Sequence, residues 1–198
     1  MSRLIVWNLI TLDGCFEGEE KWDLAFHGHA WGDELAAMSN AFGARARLLV
    51  FGRTTYEGMK TYWTTTEEEG ETKAFMNDLP KLVASHTLKS SDWNNTRMTD
   101  DIVGELTRLK AGPGKDIFVF GSADLSDTLL KAGLVDELMI GLVPTVLGKG
   151  NRFFKDGEAQ QRFDLIEARP LKNGAVILRY APMPTKAHHA SRLAKRTE

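Results

Sequence analysis

The sequence has little of three features that mark specialised classes of protein. Its 198 residues include a single cysteine, Cys15, so the chain cannot form an internal disulfide or a zinc site built from several cysteines. A net charge of -2 gives no electrostatic footprint for nucleic acid. No apolar run approaches the length that spans a bilayer. These absences predict a cytoplasmic protein that binds neither nucleic acid nor membranes.

The rest of the composition is that of an ordinary globular protein, with 42% hydrophobic and 26% charged residues. This length suits one well-buried domain, which we place at residues 1–182. Residues 183–198 are polar and mostly basic, and they predict a disordered tail. His27 and His29 lie in a glycine-rich loop without a third ligand at metal spacing, so we predict no metal site.

The stretch 116–154 carries the clearest structural pattern. Residues 117–120 form an unbroken apolar run typical of a strand buried on both faces, and Gly121-Ser122 ends that run. Leucines at helical spacing follow, then a second apolar strand over residues 137–143. A glycine between a buried strand and a helix lets a ligand approach the backbone N–H groups of the first helical turn. Those groups and the helix dipole favour a phosphate.

Strands and helices alternate along most of the remaining chain. We predict strands over 4–9, 47–51 and 81–85, helices that begin near residues 33, 53 and 73, and an amphipathic helix over 98–109 with Thr99 as its cap. Residues 15–32 look like a long loop, and residues 163–168 and 175–180 form a closing hairpin around Asn173-Gly174. The pattern predicts an α/β fold, a mixed sheet with helices on both faces.

Four segments together resemble a known family. They are Gly52-Arg53-Thr54-Thr55, Phe120-Gly121-Ser122-Ala123-Asp124-Leu125, residues 132–138 and residues 144–150. They are similar to the reductase domain of bacterial riboflavin biosynthesis, and above all to its stand-alone bacterial members. The resemblance covers roughly residues 3–181. It implies a dihydrofolate reductase-like fold: a mixed, mostly parallel sheet flanked by helices, with a C-terminal antiparallel hairpin.

The resemblance also implies a nicotinamide cofactor and the residues that bind it. The turn at Gly121 would hold the pyrophosphate at a helix start, and Arg53 would offer a planar fork to a ribose 2'-phosphate, which favours NADPH over NADH. The predicted cofactor-binding residues are Gly52, Arg53, Thr54, Thr55, Ser85, His86, Gly121, Ser122, Ala123, Asp124 and Leu125.

Three acidic residues are candidates for the catalytic carboxylate that the resemblance implies. Asp33 or Glu34 falls near the position where dihydrofolate reductases anchor a pterin, and either residue alternatively caps a helix. Asp13 lies in the segment 11–14, which resembles the part of the riboflavin reductases that lines the substrate pocket; it alternatively only forms a turn. Thr11, Asp13, Trp22, Phe26 and Trp31 are the predicted substrate-binding residues.

The expected activity is NADPH-dependent hydride transfer to a small planar heterocycle or a carbonyl or imine compound. Residues 15–32 carry few cations that would hold a ribose phosphate. Three alternatives stay open: a 5-amino-6-(5-phosphoribosylamino)uracil reductase, a dihydrofolate reductase, and a nucleotide-binding module without turnover. The closing strands and the family resemblance both suggest a homodimer.

Overall fold

The first long strand, β1 (Leu4–Thr11), lies inside an eight-stranded sheet and is buried along its whole length. The computed structural model describes residues 1–67, 70–155 and 160–184. The tail predicted for residues 183–198 therefore lies almost entirely outside the described residues. No described helix is long and apolar enough to cross a membrane.

Most of the elements follow one another as the alternating pattern predicts. The strands after β1 are β2 (Cys15–Glu17), β3 (Ala46–Gly52), β4 (Lys81–Ala84), β5 (Thr96–Thr99), β6 (Asp116–Phe120), β7 (Glu137–Val143), β8 (Asn151–Arg152), β9 (Phe163–Pro170) and β10 (Val176–Pro182). The helices are α1 (Asp33–Arg45), α2 (Arg53–Thr65), α3 (Glu71–Asp78), α4 (Ile102–Ala111) and α5 (Ala123–Lys131), and a 3-10 helix spans Ala25–His29.

The large sheet has the strand order β5-β4-β3-β6-β1-β7-β10-β9. Its first six strands pair in parallel, whereas β10 pairs antiparallel with β7 and β9 pairs antiparallel with β10. The predicted α/β class, the mostly parallel sheet and the C-terminal hairpin are confirmed. Because the parallel strands share one direction, their carboxyl ends meet at one edge of the sheet.

Two hydrophobic cores lie on opposite faces of this sheet. Alternate residues of β1 belong to different cores: Ile5, Trp7 and Leu9 pack toward α1, α2 and α3, while Leu4, Val6 and Ile10 pack toward α4 and α5. This strict alternation follows from the two-residue period of a strand. It explains why β1 reads as a nearly continuous apolar run.

Two sequence-based assignments are wrong. Residues 96–99 form strand β5, not the start of a helix, and α4 begins only at Ile102. Its cap is Asp101, whose carboxylate accepts a hydrogen bond of 2.9 Å from Gly104 N. The segment 15–32 is not one irregular loop, because it contains β2 and the 3-10 helix, and β2 pairs with the distant β8.

A buried carboxylate joins the start of β7 to its neighbours. Glu137 is fully buried and pairs with Arg3 and with Arg179, whose Nε lies 2.5 Å from Glu137 Oε1. Burial alone would raise the pKa of Glu137, but hydrogen bonds from Arg179 and Arg3 outweigh it and lower the pKa. The charge is therefore retained inside the protein because two guanidinium groups compensate it.

Lys81 is an internal cation that ties three chain segments together at the other side of the sheet. Its side chain is 1% exposed, and Nζ donates to Asn77 O at 2.9 Å, Leu79 O at 2.8 Å and Asn94 O at 3.1 Å. Nζ also lies 4.6 Å from the ring centroid of Trp93. Burial lowers the pKa of Lys81 to about 8. The ammonium replaces the missing helical partners at the end of α3.

We expect Lys81→Met to lower the free energy of unfolding by about 2–4 kcal/mol, because three backbone carbonyls lose the charged donor that a buried side chain supplies. Urea unfolding followed by tryptophan fluorescence measures the change. Lys115→Met removes the same charge from an exposed position and serves as the control, with an expected change below about 0.5 kcal/mol. Equal effects of both substitutions would show that Lys81 acts only through net charge.

Candidate functional site

A cleft of about 1360 Å³ opens at the carboxyl ends of the parallel strands. Trp7, Asn8 and Leu9 of β1 line its floor, together with Phe120 at the end of β6. Residues from α2, α5 and the segment 16–31 form its walls. The cleft lies where ligands bind in open parallel sheets, beyond the strand ends.

One wall is a pair of helix starts joined by a single hydroxyl. Ser122 Oγ accepts a hydrogen bond of 2.9 Å from Gly52 N and lies 2.7 Å from Thr55 Oγ1. Gly52 precedes α2 and Ser122 precedes α5, and no side chain caps either helix. The first N–H groups of both helices therefore remain available for a ligand. Two uncapped helix starts side by side suit an anion, such as a pyrophosphate.

The turn before α5 needs its glycine. Gly121 has φ of 62°, and a Cβ on it would stand 2.7 Å from Thr55 Cγ2. Ser122 follows with φ of 58°, so two consecutive residues have left-handed backbone conformations. Such a turn is unfavourable for most residues.

Arg53 lies at the same wall, in the first turn of α2. Its Nε is 2.9 Å from Glu57 Oε1, and its Nη1 donates to Thr87 Oγ1 at 2.5 Å. The guanidinium is half exposed, and an exposed pair with Glu57 contributes little to stability. A phosphate can therefore compete for this guanidinium. Ser85 and His86, which follow β4, line the cleft beyond Arg53.

The structure thus brings every predicted cofactor-binding residue to one cleft: Gly52, Arg53, Thr54, Thr55, Ser85, His86, Gly121, Ser122, Ala123, Asp124 and Leu125 all line it. Asp124 also pairs with Lys155, another lining residue. The donor set fits a nucleotide with several phosphates, because it combines free N–H groups, hydroxyls and a planar cation.

The opposite half of the cleft is aromatic. Trp22 and Trp31, both predicted to contact substrate, line this half together with Tyr62 and Trp63 of α2, and Phe75 of α3 completes the wall. Flat apolar walls of this kind suit a planar ligand.

Trp22 packs against α2. A Cβ on Gly58 would lie 2.2 Å from its indole, so the ring packs directly on the helix backbone. Trp22 has φ of 66°, and its backbone N–H donates to Glu17 Oε1 at 2.5 Å. The other oxygen of Glu17 accepts from Asn151 Nδ2 at 2.8 Å. Glu17, which is 8% exposed, therefore fastens the segment carrying Trp22 to β8.

His27 is a neutral group in this aromatic half. It lies in the 3-10 helix, its ring centroid is 4.7 Å from that of Phe26, and its Nε2 is buried without a partner among the described residues. Burial lowers the pKa of His27 from 6.5 to about 4. The imidazole is uncharged at neutral pH and lines the cleft as a polar but neutral surface.

The two predicted residues at the end of β1 lie away from the cleft lining. Thr11 is fully buried, and its hydroxyl donates to Asp13 Oδ1 at 2.5 Å and accepts from Cys15 N at 3.0 Å. Asp13 accepts from Gly148 N at 2.8 Å. The hydrogen bond from Thr11 and then that from Gly148 lower the pKa of Asp13. These contacts are those of a turn that joins two loops.

The other predicted acids and Phe26 are also absent from the residues that line the cleft. Asp33 is exposed in the first turn of α1, and Glu34 accepts a hydrogen bond of 2.8 Å from Lys172 N in the closing hairpin. Phe26 is 4% exposed and packs in the core on the α1 side. Asp33, Glu34 and Phe26 therefore lie outside the cleft: Asp33 at the surface, Glu34 bonded to the hairpin and Phe26 in the core.

Sequence reasoning missed several residues that line the cleft. Asn8 can be singled out from the sequence because it is the polar residue within an apolar strand. Glu17 cannot, because its role depends on a hydrogen bond from Asn151, which is far along the chain. His27 was considered only as a metal ligand. No group of three or more potential metal-binding side chains occurs among the described residues.

Comparison with known protein families decides which family the fold belongs to. The family model described as the RibD C-terminal domain matches residues 3–177. The chain belongs to the RibD C-terminal domain family. The resemblance read from the four sequence segments is thereby confirmed.

Individual relatives agree with this family assignment. The chain is 29% identical over 184 residues to the uncharacterized protein YyaP of Bacillus subtilis, covering 90% of this chain and 94% of that protein. The crystal structure of a putative riboflavin biosynthesis protein from Shewanella sp. PV-4 superposes with a TM-score of 0.74 at 20% identity, covering 92% of this chain and 99% of that one. At this identity the likeness shows a shared fold.

A third match is to a bifunctional protein of Thermotoga maritima, a diaminohydroxyphosphoribosylaminopyrimidine deaminase/5-amino-6-(5-phosphoribosylamino)uracil reductase. The TM-score is 0.62 at 11% identity, and the alignment covers 92% of this chain and 57% of that chain. The RibD C-terminal domain fold of this chain therefore also occurs as part of a longer protein.

The buried imidazole of His27 predicts a specific dependence of stability on pH. Between pH 6.5 and about 4 the unfolded chain binds a proton on this residue and the folded protein does not. The free energy of unfolding should therefore fall as pH falls through this window, by up to about 3 kcal/mol from this group. His27→Phe should remove that contribution. Urea unfolding of both proteins at several pH values between 4 and 7 tests this, and parallel curves would contradict it.

Proposed function

We propose that this protein is an NADPH-dependent oxidoreductase that reduces a small planar heterocycle or a carbonyl or imine compound. The observation that carries the proposal is the joint between two uncapped helix starts, held by Ser122 beside Arg53, in a cleft that continues into an aromatic half. Membership of the RibD C-terminal domain family supports a reductase.

In this proposal, different residues of the cleft bind different parts of the cofactor. The free N–H groups at the starts of α2 and α5 bind the phosphates, and Arg53 pairs with a ribose 2'-phosphate. When bound, the cofactor supplies a hydride to an electrophilic carbon. Trp7, Leu9 and Phe120 form an apolar floor that excludes water from the reacting atoms.

The aromatic half selects the substrate. Trp22, Trp31 and Trp63 suit stacking with a flat ring, and the neutral His27 adds a polar contact without charge. Asp13 and Glu34 accept backbone hydrogen bonds and Asp33 lies in the first turn of α1, all outside this half, so we assign them structural roles in this proposal.

A second candidate is reduction of a ribosylated aminopyrimidine phosphate, as named for the Thermotoga maritima protein. Arg152 and Lys155 favour it, because both line the cleft and offer positive charge to a phosphate. Complementation of a strain without the riboflavin-pathway reductase separates the two candidates. Growth would favour the second candidate, and failure to grow with a stable, expressed protein would favour the first.

The primary test is a titration of the purified protein with NADPH and with NADH, followed by energy transfer from tryptophan to the nicotinamide ring. We expect micromolar affinity for NADPH, a common range for such cofactors, and much weaker binding of NADH. If the folded protein binds neither nucleotide, the assignment as a reductase is wrong and the alternative of a module without turnover is favoured.

Arg53→Ala should weaken the binding of NADPH by about 10- to 100-fold and that of NADH by less than about threefold. Only NADPH carries the 2'-phosphate with which the guanidinium pairs. Calorimetric titration measures both affinities. Arg97→Ala is the matched control, since Arg97 is an exposed arginine paired with Glu105 and does not line the cleft. An equal loss of affinity for both nucleotides would show that Arg53 does not pair with the 2'-phosphate.

We also propose that the protein forms a homodimer in the cytoplasm through its C-terminal strands. Strand β9 lies at the edge of the sheet and exposes Leu165 and Ile166, which are 59% and 46% exposed. A second, mostly apolar cavity of about 430 Å³ lies nearby against β7 and β10. Exposed apolar edges favour pairing with another chain.

Light scattering coupled to size-exclusion chromatography should therefore give twice the mass of one chain. Leu165→Glu should shift the equilibrium toward monomer by placing a charge in the interface. Val146→Glu changes an equally exposed apolar residue, 64% exposed, in the loop after β7 and should leave the mass unchanged. A monomeric wild-type protein would refute the dimer.

A further inference from the structure

Asn8 is the polar exception in the most apolar strand of the protein. It is 7% exposed, and its neighbours from Leu4 to Ile10 are all hydrophobic. Its Nδ2 is buried and has no hydrogen-bond partner among the described residues. A buried amide without a partner destabilises a folded protein, because it loses its hydrogen bonds to water and gains none.

The same side chain lines the cleft. The two ends of an amide have nearly the same shape, so rotation about its last bond presents either the donor or the acceptor to a ligand. A buried, unpaired amide in the wall of a binding cleft is a group whose partner arrives with the ligand. Asn151, by contrast, also lines the cleft but donates to Glu17 and is already paired.

The position of Asn8 indicates which part of a dinucleotide it meets. The preceding residue, Trp7, pairs with Phe120, and its carbonyl accepts a hydrogen bond of 3.3 Å from Gly121 N. Asn8 is therefore the next residue of β1 beyond the turn that leads into α5. Its side chain points to the face that carries α5, because it alternates with Trp7 and Leu9.

We propose that the amide of Asn8 binds the carboxamide group of the cofactor's nicotinamide ring; this rests on the proposed function. In a nicotinamide dinucleotide only one ribose separates the phosphate from the ring. If α5 holds the pyrophosphate, the ring lies within reach of the neighbouring part of β1. A carboxamide carries one donor group and one acceptor, which matches the donor and acceptor of an asparagine side chain. Asn8 thereby fixes which face of the ring is presented to the aromatic half.

The experiment compares the whole cofactor with parts of it. Calorimetric titrations use NADPH, its 3-acetylpyridine analogue, in which the carboxamide NH2 is replaced by a methyl group, and adenosine 2',5'-bisphosphate, which lacks the nicotinamide. In the variant Asn8→Leu, NADPH should bind about tenfold more weakly, the loss of one buried hydrogen-bonded contact. Adenosine 2',5'-bisphosphate should bind as it does to the wild-type protein.

Two further readouts separate this role from a structural one. Without ligand, Asn8→Leu should melt at a higher temperature than the wild-type protein, because it removes an unpaired buried polar group. Asn173→Leu is the matched control: this amide donates to Ala30 O at 2.7 Å and accepts from Ala175 N at 3.1 Å, outside the cleft. It should melt at a lower temperature and keep its affinity for NADPH.

The wild-type protein alone allows one comparison, between NADPH and its 3-acetylpyridine analogue. It should bind the 3-acetylpyridine analogue about tenfold more weakly than NADPH, and Asn8→Leu should bind the two alike. Equal affinity of the wild-type protein for both would overturn the proposal, as would a variant that loses adenosine 2',5'-bisphosphate as well. If the wild-type protein binds neither NADPH nor adenosine 2',5'-bisphosphate, the proposed function itself fails.

Discussion

The hydroxyl of Ser122 holds together two parts of the chain on which the cleft depends. It contacts the backbone of Gly52 and the side chain of Thr55, so the start of α2 and the start of α5 are kept side by side. Ser122 adopts a left-handed backbone conformation that most residues avoid. The strain is tolerated because the hydroxyl satisfies a backbone donor of another strand and leaves the N–H groups of both helices free.

The electrostatics of the cleft follow from this joint. Two uncapped helix starts and Arg53 make one wall favourable for anions, while the opposite wall is aromatic and contains a histidine that stays neutral because it is buried. Charged and flat parts of a ligand are thereby directed to different ends. The buried ion pairs of Glu137 and the hydrogen bonds of Lys81 lie far from this edge and stabilise the sheet that carries it.

The sequence was most informative where local chemistry determines structure. A buried strand, a glycine and a leucine-spaced helix predicted the turn at Gly121, and every residue predicted to bind the cofactor lines the cleft. The acids were less predictable because their partners are distant in sequence. Asp13 pairs with the backbone of Gly148 and Glu34 with that of Lys172, and no local pattern reveals either contact. Strand β5 was missed for the same reason: its pairing with β4 outweighs a helical pattern in Met98 and the residues after it.

The contact between Trp22 and Gly58 has a consequence for how such a protein diversifies. The aromatic half combines Trp22 and Trp31, from the segment between β1 and α1, with side chains of α2 and α3, and Trp22 packs on a helix position that has no side chain. The anion-binding wall comes from separate strand ends. Changes in the length or composition of the segment between β1 and α1 can therefore alter the shape of the aromatic half while the two helix starts of the other half stay in place.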